Sequence, residues 1–160
     1  MLFRSTVSDS VGPIPVIGGR LQSRTFAAKP GSAASGLTAY EYRVDLTNAV
    51  GTTAIDCIDW LKVPFGPVAS LDFNGDRRPE QVYVVTTGGL GSVGLASADL
   101  SAGVITFKFA TPVCQGQAPG RGVTSFFFGV TSQRPIRNTT ATVHSSLTGR
   151  TFPVAARSAP

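Results

Sequence analysis

A chain of 160 residues with 42% hydrophobic and 14% charged side chains is long enough to bury a core and too apolar to be disordered. That charged fraction lies well below the usual quarter, and with 18 Gly and 11 Pro it points away from a cytosolic α/β enzyme and toward an extracellular β-protein. The net charge of +5 is uneven: all 9 acidic residues lie at or before Asp99, whereas Lys108, Arg121, Arg134, Arg137, Arg150 and Arg157 follow it.

In chain order, no apolar stripe of helical period appears, and period-2 alternation recurs instead. Val11 to Ile17 carries Pro13 and Pro15, which suit an edge or extended segment better than a central strand. Arg20 to Ala27 reads as a first strand and residues 29–36 as a loop. Thr38 to Thr47 alternates cleanly, with Tyr40, Tyr42, Val44 and Leu46 on one face and Glu41, Arg43, Asp45 and Thr47 on the other. Thr53 to Phe65 changes phase, because Ile55 and Cys57 share one parity and Ile58 and Trp60 the other. A bulge or a switch of sheets near Cys57 would reconcile them.

Val68 to Phe73 reads as a short strand entering a polar loop, and Gln81 to Thr87 as the strand leaving it. A turn at Thr87-Gly88-Gly89 precedes a weak strand from Leu90 to Ala96. Gly103 to Ala110 turns Ile105, Phe107 and Phe109 inward, and a loop over Pro112 to Arg121 holds Cys114. Val123 to Thr131, apolar on both faces at Phe126-Phe127-Phe128, suits a central strand. Arg137 to His144 and Thr151 to Ala155 complete the set around a turn at Leu147-Thr148-Gly149-Arg150. The expectation is an all-β, antiparallel β-sandwich of about eight to ten strands. Residues 1–20 form an extended N-terminal segment, an edge strand or one donated to a neighbour, and residues 21–160 a single sandwich domain.

Cys57 and Cys114 belong to no CxxC, and one histidine is too few for a zinc site. In an oxidising compartment they would pair, closing a loop of more than fifty residues and contributing roughly 4 kcal/mol in the loop-entropy account. No run of about 20 apolar residues spans a membrane. The start, Met1-Leu2-Phe3-Arg4, is too short for a signal peptide, so an exported chain would have lost its leader or begin part-way.

The densest set of oxygen ligands is Asp72, Asn74, Asp76 and Glu80, at the first, third, fifth and ninth positions of one loop. Calcium takes six to eight hard oxygens, and alternate side chains of a tightly wound loop converge on one point. The stretch D-F-N-G-D-x-x-P-E resembles the calcium loops of FG-GAP/VCBS-type repeats and, more loosely, those of dockerins and EF-hands. Two features depart from that pattern: Arg77 stands where such loops want glycine, and Tyr83 where an EF-hand has its bidentate Glu. Asn74-Gly75 is also a strong hairpin signal, so a plain polar turn accounts for the same residues. Calcium is the one cofactor the sequence raises.

Elsewhere, Gly89-Leu90-Gly91-Ser92-Val93-Gly94 satisfies G-x-G-x-x-G, but the segment after it is too short for the helix a dinucleotide needs, leaving a glycine-rich turn. Any nucleophilic triad must use His144, which has no acid near it in sequence and reads as an exposed strand residue. Asp56 and Asp59 flank Cys57 and read as solvent-facing. Trp60 is an available ring for sugar stacking, and Arg134 and Arg137 are candidate contacts for an anionic partner. The arginines lack the aromatic interleaving of a nucleic-acid platform. Asn138-Thr139-Thr140 is an N-x-T sequon.

Tyr42-x-Val44-x-Leu46-Thr47-Asn48, Gly103-x-Ile105-Thr106-Phe107 and Ser125-Phe126-Phe127-Phe128-Gly129 together resemble bacterial extracellular immunoglobulin-like β-sandwich domains. The resemblance implies architecture only. The expected function is a non-catalytic extracellular or cell-surface structural or interaction module: adhesion, surface layer or filament subunit. It would bind a protein partner or itself, with polysaccharide as a further partner and neither nucleic acid nor a membrane span. The alternative is a carbohydrate-binding module, calcium-assisted.

Overall fold

The computed structural model describes residues 2–88 and 91–160; Gly89 and Leu90 of the glycine-rich turn lie outside the described residues. Ten strands follow one another among the described residues: β1 (Phe3–Pro13), β2 (Arg20–Ala28), β3 (Thr38–Asp45), β4 (Cys57–Pro64), β5 (Tyr83–Val85), β6 (Leu95–Ser101), β7 (Val104–Cys114), β8 (Phe127–Ser132), β9 (Arg137–Ser145) and β10 (Thr151–Ser158). They pair, antiparallel throughout, into one sheet of order β1-β2-β3-β8-β5 and a second of order β10-β9-β4-β7-β6. The chain is an all-β sandwich without an α-helix among the described residues.

The inner faces follow from the alternation. Tyr40, Tyr42 and Val44 of β3 are fully buried against Leu61 and Val63 of β4, Phe107 of β7 and Val143 of β9. Aromatic rings form the seam between the sheets: Phe107 lies 4.8 Å from Phe128 and 6.0 Å from Tyr42, and Tyr40 meets Phe65 edge-on at 5.2 Å. Both buried tyrosines keep a partner for the hydroxyl, as burial demands. Tyr40 donates to the Arg134 carbonyl at 3.3 Å, and Tyr42 donates to the Arg157 carbonyl of β10 at 2.6 Å. The second of these bonds joins the centre of one sheet to the edge of the other.

The phase change in β4 is a bulge: the register to both β7 and β9 slips between Ile58 and Trp60. Ile58 and Leu61 therefore both point inward and Asp59 and Trp60 both reach the outer side. On β7 the same irregularity leaves the stretch between Lys108 and Val113 without partners on β4. That stretch is where Pro112 sits, so the strand runs through the proline to Cys114 instead of becoming a loop.

β8 begins at Phe127, later than its apolar run, because the Ser125 hydroxyl takes the Val44 N–H at 3.0 Å and stands in for a ladder carbonyl. Phe128 faces the core, while Phe127 faces outward and is buried beneath the guanidinium groups of Arg24 and Arg43, at 4.5 and 4.8 Å from its centroid. Residues 68–73 are not a strand; their backbone makes isolated bridges, from Ala69 to Thr131 of β8 and from Leu71 to Glu80 across the neck of the polar loop. With Pro67 before them and the polar loop after, too few residues remain to sustain a ladder. The exit strand shrinks to β5 for the same reason.

At the other side of the sandwich, β1 pairs with β2 of its own chain and packs on β10. A Cβ at Gly12 would come within 2.5 Å of the Ala155 carbonyl oxygen, so glycine there permits the close approach. Replacing Tyr42 by Phe is expected to leave the Arg157 carbonyl unpaired and lower stability by about 1–2 kcal/mol. The check is urea unfolding, with the midpoint falling and the m-value unchanged.

Candidate functional site

The polar loop is closed at its neck by the Leu71–Glu80 bridge, with backbone bonds of 2.8 and 2.9 Å. Above the neck its side chains bind backbone amides a few residues on, as Asx turns do. Asp72 Oδ1 accepts from the Gly75 N–H at 2.7 Å and its Oδ2 from the Arg77 N–H at 2.9 Å. Asn74 Oδ1 accepts from the Asp76 N–H at 2.9 Å, and Asp76 Oδ1 from the Arg78 N–H at 2.8 Å. Asn74 Nδ2 donates to Glu80 Oε1 at 3.2 Å and to Asp76 Oδ2 at 3.4 Å.

Arg77 adopts a left-handed backbone with φ of 69°, the conformation for which calcium loops use glycine. The chain therefore makes the turn despite the arginine, at a cost of roughly 1–2 kcal/mol. Spacing and backbone suit a cation; the closed hydrogen-bond set does not, since the Asn74 amide nitrogen joins the Asp76 and Glu80 carboxylates. Among the described residues no three acidic, histidine or cysteine side chains gather closely enough to hold a metal ion.

Cys57 and Cys114 face each other on β4 and β7 and form a disulfide with Cα atoms 4.0 Å apart, 57 residues apart in sequence. The bridge lies within one sheet rather than between the two. Beside it Asp56 is buried, contrary to its expected solvent-facing position. It accepts the Ser145 hydroxyl at 2.8 Å and the Cys57 N–H at 2.7 Å, and so ties β9 to the bulged end of β4. Its role is structural.

Asp59, on the bulge, meets His144 of β9, Nδ1 to Oδ1 2.6 Å. Asp59 is 85 residues away in sequence, so only the sheet brings an acid to this histidine. Trp60 stacks on the same imidazole, centroids 4.8 Å apart and planes 10° apart, and Lys62 Nζ lies 4.6 Å from its ring centre. The tryptophan is thus one layer of a stack rather than an open platform. Arg134 and Arg137 are both exposed. They flank the turn into β9, where the Arg134 backbone serves Tyr40 and Ser132.

The outer face of the first sheet is a denser polar array. Asp45, at the end of β3, accepts the Thr47 hydroxyl at 2.6 Å and N–H at 3.0 Å, the Thr124 hydroxyl at 2.8 Å and Arg20 Nε at 3.2 Å. Burial alone would raise its carboxyl; the bonds from Thr47, Thr124 and Arg20 outweigh it and hold the group at about 2. Arg43 donates to Gln22 at 2.9 Å, and burial beside Arg20 and Arg24 pulls its guanidinium below the usual range. Arg24 pairs with Asp9 at 3.6 Å. These bonds fix the strands to one another and leave Glu41, between them on β3, without a share.

A carboxyl held below its ordinary value stabilises the fold at neutral pH and stops doing so on acidification. Replacing Asp45 by Asn is expected to lower the melting temperature at pH values above the ordinary 3.8, with the gap to the native protein narrowing as the pH falls toward about 2. Thermal melts across that range are the check; a gap that is independent of pH would show that the charge plays no part. No family model, curated protein or solved structure matches this chain, so the functional reading rests on the geometry itself.

Proposed function

We propose that the protein is a non-catalytic extracellular structural or interaction module, immunoglobulin-like in general plan and displayed for adhesion or assembled with itself. The observation that carries this reading is the open edge of the second sheet. β6 is its outermost strand, without a partner beyond it among the described residues, and Leu100 on it is 47% exposed. Unpaired strand edges accept a further strand, and native proteins that do not use them usually guard them with charge or proline; β6 carries one charge, Asp99, and no proline. The disulfide supports the extracellular placement, because such bridges persist in oxidising compartments. Asp56, Asp59 and Asp45 are tied into structural bonds to Ser145, His144, Thr47 and Thr124, which favours a scaffold over a general acid–base catalyst.

Self-association through β6 makes assembly concentration-dependent. Light scattering on a sizing column and negative-stain images are expected to show multimers that Leu100→Lys disperses without altering the far-ultraviolet circular dichroism. Monomers at every concentration would remove the assembly version of the proposal.

The second reading is a carbohydrate-binding module with calcium in the Asp72–Glu80 loop, favoured by the left-handed Arg77 in the turn. Asp72, Asn74, Asp76 and Glu80 would hold the ion through their oxygens, after the Asn74 amide is released from the two carboxylates. Its role would be to stiffen the loop. Calcium is then expected to raise the melting temperature and a chelator to reverse the rise, by RT ln(1 + [L]/Kd) in free energy. An unchanged midpoint leaves the polar turn alone.

A further inference from the structure

We propose that the cavity on the outer face of the first sheet, floored by Ala39 and walled by Glu41, Tyr83, Phe26 and Phe73, is a binding site for a small apolar molecule carrying one ammonium group. Its volume is about 630 Å³, within the range of small-ligand sites, and Ala39 and Val85 add to a mainly apolar lining. Glu41 stands on β3 directly opposite Gly129 of β8, as does Tyr83 of β5 from the other side. A Cβ at Gly129 would come within 2.1 Å of the Tyr40 carbonyl oxygen and 3.0 Å of the Tyr83 hydroxyl, so glycine there permits the close approach of β3 and of the Tyr83 side chain. Phe73, from the base of the polar loop, lies 4.6 Å from the Tyr83 ring and makes the loop one wall of the cavity.

Among the described residues neither the Glu41 carboxyl nor the Tyr83 hydroxyl has a hydrogen-bond partner. Both face the cavity. Burial pushes the Glu41 carboxyl up to about 7, against a smaller downward pull from Arg24, and pushes the Tyr83 hydroxyl well above its usual range. Glu41 is half-buried, and a carboxyl with no donor beside it adds nothing to the core, which fits a group that meets a ligand.

The charged and titratable groups around Glu41 are Arg4 of β1, Arg24 of β2, Arg43 farther along β3 and Tyr83 of β5; β8 contributes no charged group. Arg24 is engaged by Asp9 at 3.6 Å and lies over Phe127, and Arg4 is exposed at the rim. An ammonium would gain Glu41 as a counter-ion and the faces of aromatic rings. A carboxylate would be set against Glu41 with only the rim arginine to receive it.

Three ligands of one chain length separate the possibilities: octylammonium, octanoate and 1-octanol. Calorimetry is run on the full chain at about pH 8, where Glu41 is ionised. Octylammonium is expected to bind at least about tenfold tighter than the other two, the worth of one charge-assisted hydrogen bond. Glu41→Gln should bring it to the level of 1-octanol, and Ala39→Leu, which fills the floor, should abolish binding of all three. Because the folded-state value of Glu41 lies above its ordinary 4.5, the native protein loses stability as the pH rises through about 7. Glu41→Gln should therefore melt higher than the native protein at about pH 8, which also shows that it folds. Equal affinity for the three ligands, tighter binding of octanoate, no binding of octylammonium, or binding that survives either substitution would each overturn the proposal.

Discussion

Tyr42 stands where the two sheets meet, and the register it imposes on β3 governs both faces of the first sheet. Its ring packs on Phe107 and Phe128, and its hydroxyl reaches the Arg157 carbonyl of β10. With Tyr40 and Val44 it commits one side of the strand to the core, and period 2 then commits Glu41, Arg43 and Asp45 to the other. A slip of one residue would bury three charges and expose two tyrosines. The hydrophobic seam therefore decides where the polar chemistry lies.

That chemistry is uneven in an instructive way. Glu41 and Asp45 are carboxylic acids on the same face of the same strand, yet one is pushed up to about 7 and the other held at about 2. The difference lies in the donors each one finds: Asp45 is held down first by Thr47, two residues on, and then by Thr124 and Arg20. Asp45 bridges to Thr124, whose hydroxyl donates to it, whereas Glu41 is paired with Gly129, which has nothing to donate. Where donors stand beside the carboxyl the acid becomes part of the scaffold; Glu41 is instead left at the wall of the cavity.

The second sheet uses irregularity rather than absence. A bulge in β4 turns Asp59 and Trp60 to the same side, and together with His144 they build a compact stack on the outer face. The disulfide closes the same end, beside buried Asp56. The polar loop links the two faces of the problem: its oxygens are occupied by its own amides, while Phe73 at its base completes the wall around Tyr83. A metal site and a turn are thus not the only roles open to this loop, which also shapes the cavity.

Much of the fold was legible in the chain. The alternation of residues 38–47, the turn at Leu147–Arg150, the doubly apolar run at Phe126–Phe128 and the disordered phase near Cys57 all encode local backbone facts, and local facts survive folding. Asp72, Asn74 and Asp76 likewise announce a tightly wound loop, because Asx turns need only near neighbours. What the residues alone do not contain is partnership across the sheets. Asp59 with His144, Asp45 with Thr124 and Glu41 with Gly129 are separated by 79 residues or more, and period 2 says which face a residue takes without saying who stands beside it. Composition and alternation determined an all-β sandwich with a cysteine pair; strand order and register, set by how the aromatic seam packs, decided which acids became structure and which one was left facing a cavity.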